Sequence, residues 1–144
     1  FSFLVASYLA EMDNVALLGT SVDDDVMITV AQGLAALTAP NSHILFPAPG
    51  GNICYLRERQ LFVITLPWSA EELDTFKSTR DAMIAGLMDC VCVGRNAEET
   101  LLFVASCHEI ARKSTGAFNP EICLALVNTV RHELEKRCIV RRLF

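Results

Sequence analysis

Three runs decide the fold: His43-Ile44-Leu45-Phe46, Asn52-Ile53-Cys54-Tyr55-Leu56-Arg57, and Gln60-Leu61-Phe62-Val63-Ile64-Thr65-Leu66. Each is short and rich in β-branched and aromatic residues, and turn chemistry separates them. Pro47-Ala48-Pro49-Gly50-Gly51 divides the first two, and Glu58-Arg59 divides the second from the third. A two-residue connection predicts a tight hairpin, although Glu-Arg lacks the Asn-Gly or Asp-Gly chemistry such turns favour. Leu61 to Leu66 is apolar almost throughout, as a central strand covered on both faces should be. Phe62 and Ile64 are therefore expected core residues.

On either side of these runs the period changes to that of helices. Phe1, Leu4, Val5, Tyr8, Leu9 and Met12 recur at helical spacing and predict an amphipathic helix over 1–12. Ser21 with Asp24 three residues on fits a helix start, and Asp23-Asp24-Asp25 sits where the dipole favours anions. That helix is expected over 22–38, with Val26, Met27, Val30, Leu34 and Leu37 as its buried stripe and Pro40 as its stop. Ser69 with Glu72 opens a helix over 70–88, Asn96 with Glu99 one over 97–113, and Asn119-Pro120 one over 120–136. Cys90-Val91-Cys92-Val93 and residues 138–143 are candidate short strands. The expected fold class is α+β: an antiparallel sheet of three to five strands packed with about five helices.

With 144 residues the chain has the size of a single domain and is expected to fold as one α+β unit over 1–144. It opens Phe1-Ser2-Phe3-Leu4 with no Met and no basic stretch, the expected look of a domain excised from a longer protein. Hydrophobic residues make up 52% and charged residues 20%, which excludes disorder and fibrous architectures. The net charge of −5 speaks against a generally basic nucleic-acid binder. No apolar stretch reaches the roughly 20 residues of a transmembrane span. Six cysteines, several on apolar faces, point to reduced thiols and a cytoplasmic or nuclear setting.

Charge is uneven. Arg131, Lys136, Arg137, Arg141 and Arg142 face only Glu133 and Glu135, so residues 131–144 carry +3 on a body of −8. This basic cluster is a candidate patch for an acidic partner, and equally the complement of a helix C-terminus.

No motif names a chemistry. Gly50-Gly51 lacks dinucleotide-binding spacing, and there is no phosphate-binding P-loop. Cys90-Val91-Cys92 has no second pair at zinc-site spacing, and the Asp23-Asp24-Asp25 run lacks the spacing of a calcium loop, so neither metal nor cofactor is expected. Cys54, just after the Pro/Gly loop, is the candidate nucleophile, because a nearby imidazole could lower its thiol pKa. His43 or His108 would be that imidazole. Cys107-His108 cannot easily share one site, since adjacent helical residues point about 100° apart.

The order helix–three strands–helix resembles the second half of a longin or roadblock module. The resemblance covers at most half the chain, implies a link to small-GTPase regulation and trafficking, and assigns no site residue.

Two functions follow as expectations. The first is an intracellular protein–protein interaction or assembly domain without catalytic activity. Its interface would be built from Phe1, Leu4, Val5, Tyr8, Leu143 and Phe144, in a homodimer or a heteromeric complex. The alternative is a small thiol-dependent hydrolase or transferase using Cys54 with His43 or His108.

Overall fold

The structure is a computed structural model that describes residues 24–48, 51–66, 75–113 and 124–144. The expected helix over 1–12 lies outside the described residues. The order is α1 (Asp24–Ala36), β1 (His43–Ala48), β2 (Asn52–Arg57), β3 (Gln60–Thr65), α2 (Thr75–Val93), α3 (Ala97–Lys113), α4 (Leu124–Arg137) and β4 (Val140–Arg142). The four strands form one antiparallel sheet in the order β1-β2-β3-β4. The fold is α+β, as the sequence predicts.

The apolar run of β3 follows from what covers it. Phe62 and Ile64 face a core shared with Leu45, Tyr55, Leu87 and Val104. Leu61 and Val63 face the other way, onto Met27, Ala31 and Leu34 of α1. Helices thus lie on both faces of the sheet, and no position between Leu61 and Ile64 is left to a polar residue. Strands 43–46 and 52–57 occupy their expected places, the first extended to Ala48.

The Glu58-Arg59 hairpin forms, with both residues left-handed at φ 51° and 63°. Such a turn matches the right-handed twist of the strands, but it strains side chains that carry a Cβ. Replacing Glu58-Arg59 by Asn-Gly is therefore expected to raise stability by about 1 kcal/mol. Urea midpoints of the two proteins check this, and an unchanged or lower midpoint counts against the turn geometry.

Three expectations are corrected. Cys90-Val91-Cys92-Val93 is not a strand but the end of α2. Gly94, at φ +82°, closes that helix, with the Gly94 and Arg95 amides donating to the Cys90 carbonyl at 3.0 Å. β-branched and sulfur side chains suit either state, and this local closure favours the helix. Val26 on α1 is 38% exposed and Leu37, just past the end of that helix, is 75% exposed, and Ala31 rather than these two completes the buried face. The last strand is shorter than 138–143. Its pairing continues, however, through Leu143, whose amide donates to the Leu61 carbonyl, and Phe144, whose carbonyl accepts from the Leu61 amide.

Helix α3 is the centre of the helical layer. Phe103 through Ile110 are all buried, packed among the sheet, α2 and α4. Several of its polar members are satisfied locally. Asn96 caps the first turn (Glu99 amide to Asn96 Oδ1, 2.8 Å), and Thr100 and Ser106 donate to carbonyls four residues back. Where α2 crosses α3, a Cβ on Gly86 would sit 2.9 Å from Cys107 Sγ, so only glycine lets these helices approach so closely.

Candidate functional site

Polar groups converge at the hairpin end of the sheet. β2 aims Arg57 across to the α2–α3 connection, where its Nη1 donates to the Arg95 carbonyl at 2.8 Å. That connection is itself held by the Gly94 closure, by Asn96 capping α3, and by the Arg95 guanidinium lying 4.9 Å from the centroid of the Phe103 ring. Between the hairpin and the start of α3 opens a cavity of about 370 Å³, lined by Arg57, Glu58, Gln60, Phe62, Asn96 and Glu98 among others. It offers hydrogen-bond donors and acceptors over an aromatic floor. Among the described residues that line it there is no thiol, hydroxyl or imidazole.

Behind Arg57, His43 Nδ1 and the Tyr55 hydroxyl share a hydrogen bond of 2.5 Å, and their rings stack at 6.0 Å. Burial pushes the Tyr55 phenol up to about 12, against the pull of Arg57. Burial, followed by the Arg57 charge, holds the His43 imidazole below its usual value. Both groups are therefore neutral at pH 7, a pair suited to holding β1 on β2 rather than to moving protons.

The grouping of Cys54 with His43 or His108 is not assembled, which corrects that expectation. His43 lies opposite Arg57 in the register and shares a face with Leu45 and Tyr55. Cys54 lies opposite Phe46 and Val63 on the other face, where its thiol donates to Met27 Sδ at 3.5 Å. The sheet stands between them. The period of two decides this, because Cys54 is an odd number of positions from the residue that pairs with His43. Burial also pushes the Cys54 thiol far up, the reverse of what an activated nucleophile needs. His108 is fully buried at the α2–α3 contact, with Nδ1 2.6 Å from Thr79 Oγ1. Its neighbour Cys107 turns to a separate cluster with Cys90, Phe103, Ile110 and Val127.

Cys54, Cys90, Cys92, Cys107 and Cys138 are free thiols, while Cys123 lies outside the described residues. Only Cys92 among the five is exposed, and burial raises Cys90 to about 12. In the folded protein iodoacetamide is expected to label Cys92 at least tenfold faster than Cys54, Cys90 or Cys107, as followed by peptide mass spectrometry. Selective labelling of Cys54 near pH 6.5 would restore it as a nucleophile. Among the described residues no three His, Cys, Asp or Glu side chains are placed to hold a metal ion.

Phe1, Leu4, Val5 and Tyr8 lie outside the described residues. Leu143 and Phe144 are half-buried against the core beneath α1. Arg141 and Arg142 leave opposite faces of β4, and Arg141 makes a two-pronged ion pair with Asp24 at 3.0 and 3.2 Å. Lys136 pairs with Glu133 on α4, Arg137 is exposed in the last turn of that helix, and Arg131 is half-buried. Sequence reasoning passed over Tyr55, Arg57 and Thr79. Gly94, a helix-closing signal followed by Arg95 and Asn96, was the one local sign of the loop that Arg57 holds.

No protein-family model and no curated protein matches the sequence. Two solved structures share its fold. One, from Staphylococcus aureus and described as a phosphofructokinase, covers 97% of this chain at TM-score 0.61 and 12% identity. The other, from Clostridium perfringens and described as a sugar kinase, covers 85% at TM-score 0.59 and 16% identity. The chain spans 40% and 36% of the length of those two proteins. Among the described residues no helix is long and apolar enough to cross a membrane.

Proposed function

We propose that this chain works as a protein–protein interaction or assembly unit without catalysis of its own, supplying one part of a sugar-kinase-type fold whose remainder comes from further polypeptide. The observation that carries the reading is the fit of 97% of this chain onto only 40% of the phosphofructokinase-described structure. A kinase positions a phosphoryl donor and an acceptor together. In the described residues the buried histidines and Cys54 are spent on packing, and the polar cavity holds no nucleophile or base of the hydroxyl, thiol or imidazole kind. The unit joins a second copy of itself or a different subunit. Its free thiols suit a reducing interior, cytoplasmic or nuclear.

The test pairs two measurements on the full chain. Sedimentation at micromolar concentration is expected to show a species heavier than the 15.9 kDa chain, or a chain that aggregates until a partner is supplied. A coupled assay for ADP, run with MgATP and a panel of hexoses, pentoses and their monophosphates, is expected to show no sugar-dependent release. A soluble monomer at high concentration would defeat the assembly reading. Sugar-dependent ADP release by the chain alone would make it a kinase in its own right.

A further inference from the structure

The two edges of the sheet differ. β1, at one edge, is buried along its whole length. β4, at the other, is half-buried at Val140 and exposed at Arg141 and Arg142, and among the described residues no strand pairs with its outer side. Which backbone groups lie on that side follows from the ladder. The Leu143 amide donates to the Leu61 carbonyl at 2.8 Å, so the backbone of Leu143 is turned toward β3. Residues of an antiparallel pair alternate, so Arg141 is turned inward as well, and the N–H and C=O groups of Val140 and Arg142 point outward. Such a row is a template for one more strand. The side chains around it are basic. Arg141 is engaged with Asp24, but Arg142, whose Nε donates to the Phe144 carbonyl at 3.3 Å, has no carboxylate beside it among the described residues. Arg137, at the end of α4 just before the strand, is exposed and makes no ion pair among the described residues. Ile139, directly ahead of β4, is 78% exposed, more than any other large apolar side chain among the described residues.

We propose that the outer edge of β4 takes up an extended, acidic segment of a partner polypeptide as an added strand. Val140 and Arg142 supply its backbone hydrogen bonds, the Arg142 and Arg137 guanidinium groups meet its carboxylates, and an apolar residue of the segment covers Ile139. This edge is then the joining surface of the assembly unit proposed above, and its assignment rests on that reading. Main-chain bonds give such a contact its affinity, and the side chains select the partner. Here charge selects it. Two copies of this chain pairing edge to edge across a two-fold axis would set the basic strand against itself, cations facing cations. A strand rich in glutamate meets the opposite balance, in a stretch, residues 131–144, that carries +3 on a chain of net charge −5. The arginines that keep a like strand off the edge are the groups that admit an acidic one.

The experiment titrates the full chain with three fluorescein-labelled peptides: one of alternating Glu and Val, its Lys–Val counterpart, and the Glu–Val peptide methylated on its backbone nitrogens. Fluorescence anisotropy is expected to show saturable binding of the Glu–Val peptide, about tenfold tighter than that of either other peptide. Amide exchange at Val140 and Arg142 is expected to slow about tenfold in that complex. Arg142→Glu is expected to erase the preference for the acidic peptide. Arg142→Pro removes an outward N–H and no inward one, and is expected to weaken binding about tenfold with the thermal midpoint kept. Should either variant fail to fold, the three peptides on the wild type still decide. No saturable binding of the Glu–Val peptide, equal binding of its methylated form, or unchanged exchange at Val140 and Arg142 would each overturn the proposal. So would protection of those two amides in the chain alone that grows with concentration, because a second copy would then hold the edge. Sedimentation alongside separates the two readings. A species heavier than the 15.9 kDa chain that ignores the acidic peptide keeps the assembly reading and loses this edge. A soluble monomer that binds the peptide as described supports the edge and fails the assembly test.

Discussion

Ile64→Ala and Phe62→Ala are each expected to destabilise the protein by about 2–5 kcal/mol. Ile64 is 0% exposed and Phe62 6%, and both sit in the core where β3 meets α2, α3 and α4. Truncation there removes apolar contacts and leaves a cavity that cannot collapse, because β3 is tied to β2 on one side and β4 on the other. Small domains have only about 5–15 kcal/mol in total, so either change consumes a large share. Gln32→Ala, at an exposed position of α1, is the control and should stay within about 0.5 kcal/mol. Urea unfolding with an unchanged slope gives the comparison. A loss below about 1 kcal/mol at both Ile64 and Phe62 would mean that β3 is not the central strand.

Acid is expected to weaken the protein well before its carboxylates titrate. Burial, with a smaller push from the Arg112 charge, lowers the His108 imidazole to about 4, and Glu109 only partly opposes this. In the unfolded chain the same group titrates at about 6.5. Below 6.5 the unfolded state binds a proton that the native state refuses until about pH 4, so stability is full above 6.5 and is lost as pH falls through that window. The loss is on the order of 3 kcal/mol for His108, from the size of the shift at 1.36 kcal/mol per unit. His43, also lowered by burial, adds to it in the same direction. His108→Gln keeps a hydrogen-bonding side chain beside Thr79 but does not titrate. Its stability at pH 7 and pH 4.5 should therefore differ far less than the wild type's. Equal pH slopes for the two proteins would show that His108 does not carry the effect.

Much of the architecture is written locally. The two-residue hairpin, the cap at Asn96 and the apolar run of β3 each depend on residues within a few positions of one another, and each is where the sequence places it. Local signals failed where two states were almost equally served. Cys90-Val91-Cys92-Val93 suits a strand as well as a helix, and the choice fell to the Gly94 closure and to packing of Cys90 against Phe103 and Cys107. On α1 the helical period allowed Val26 and Leu37 into the buried stripe, and the sheet's position left them outside it.

The candidate site was less legible, for a reason of geometry. Whether His43 and Cys54 meet depends on strand register, and a step of one residue would move either to the opposite face. That register is set by β2 pairing with β3 and by the cores on both sides, so no short window of sequence contains it. His108 finds Thr79 twenty-nine residues away, and Arg57 finds the Arg95 carbonyl thirty-eight away. The chain's periodicity and turn residues settled which segments become strands and helices, since those preferences act over one or two turns of backbone. Which polar side chains share a space was settled only when both faces of the sheet were covered, because burial and pairing are properties of segments distant in the chain.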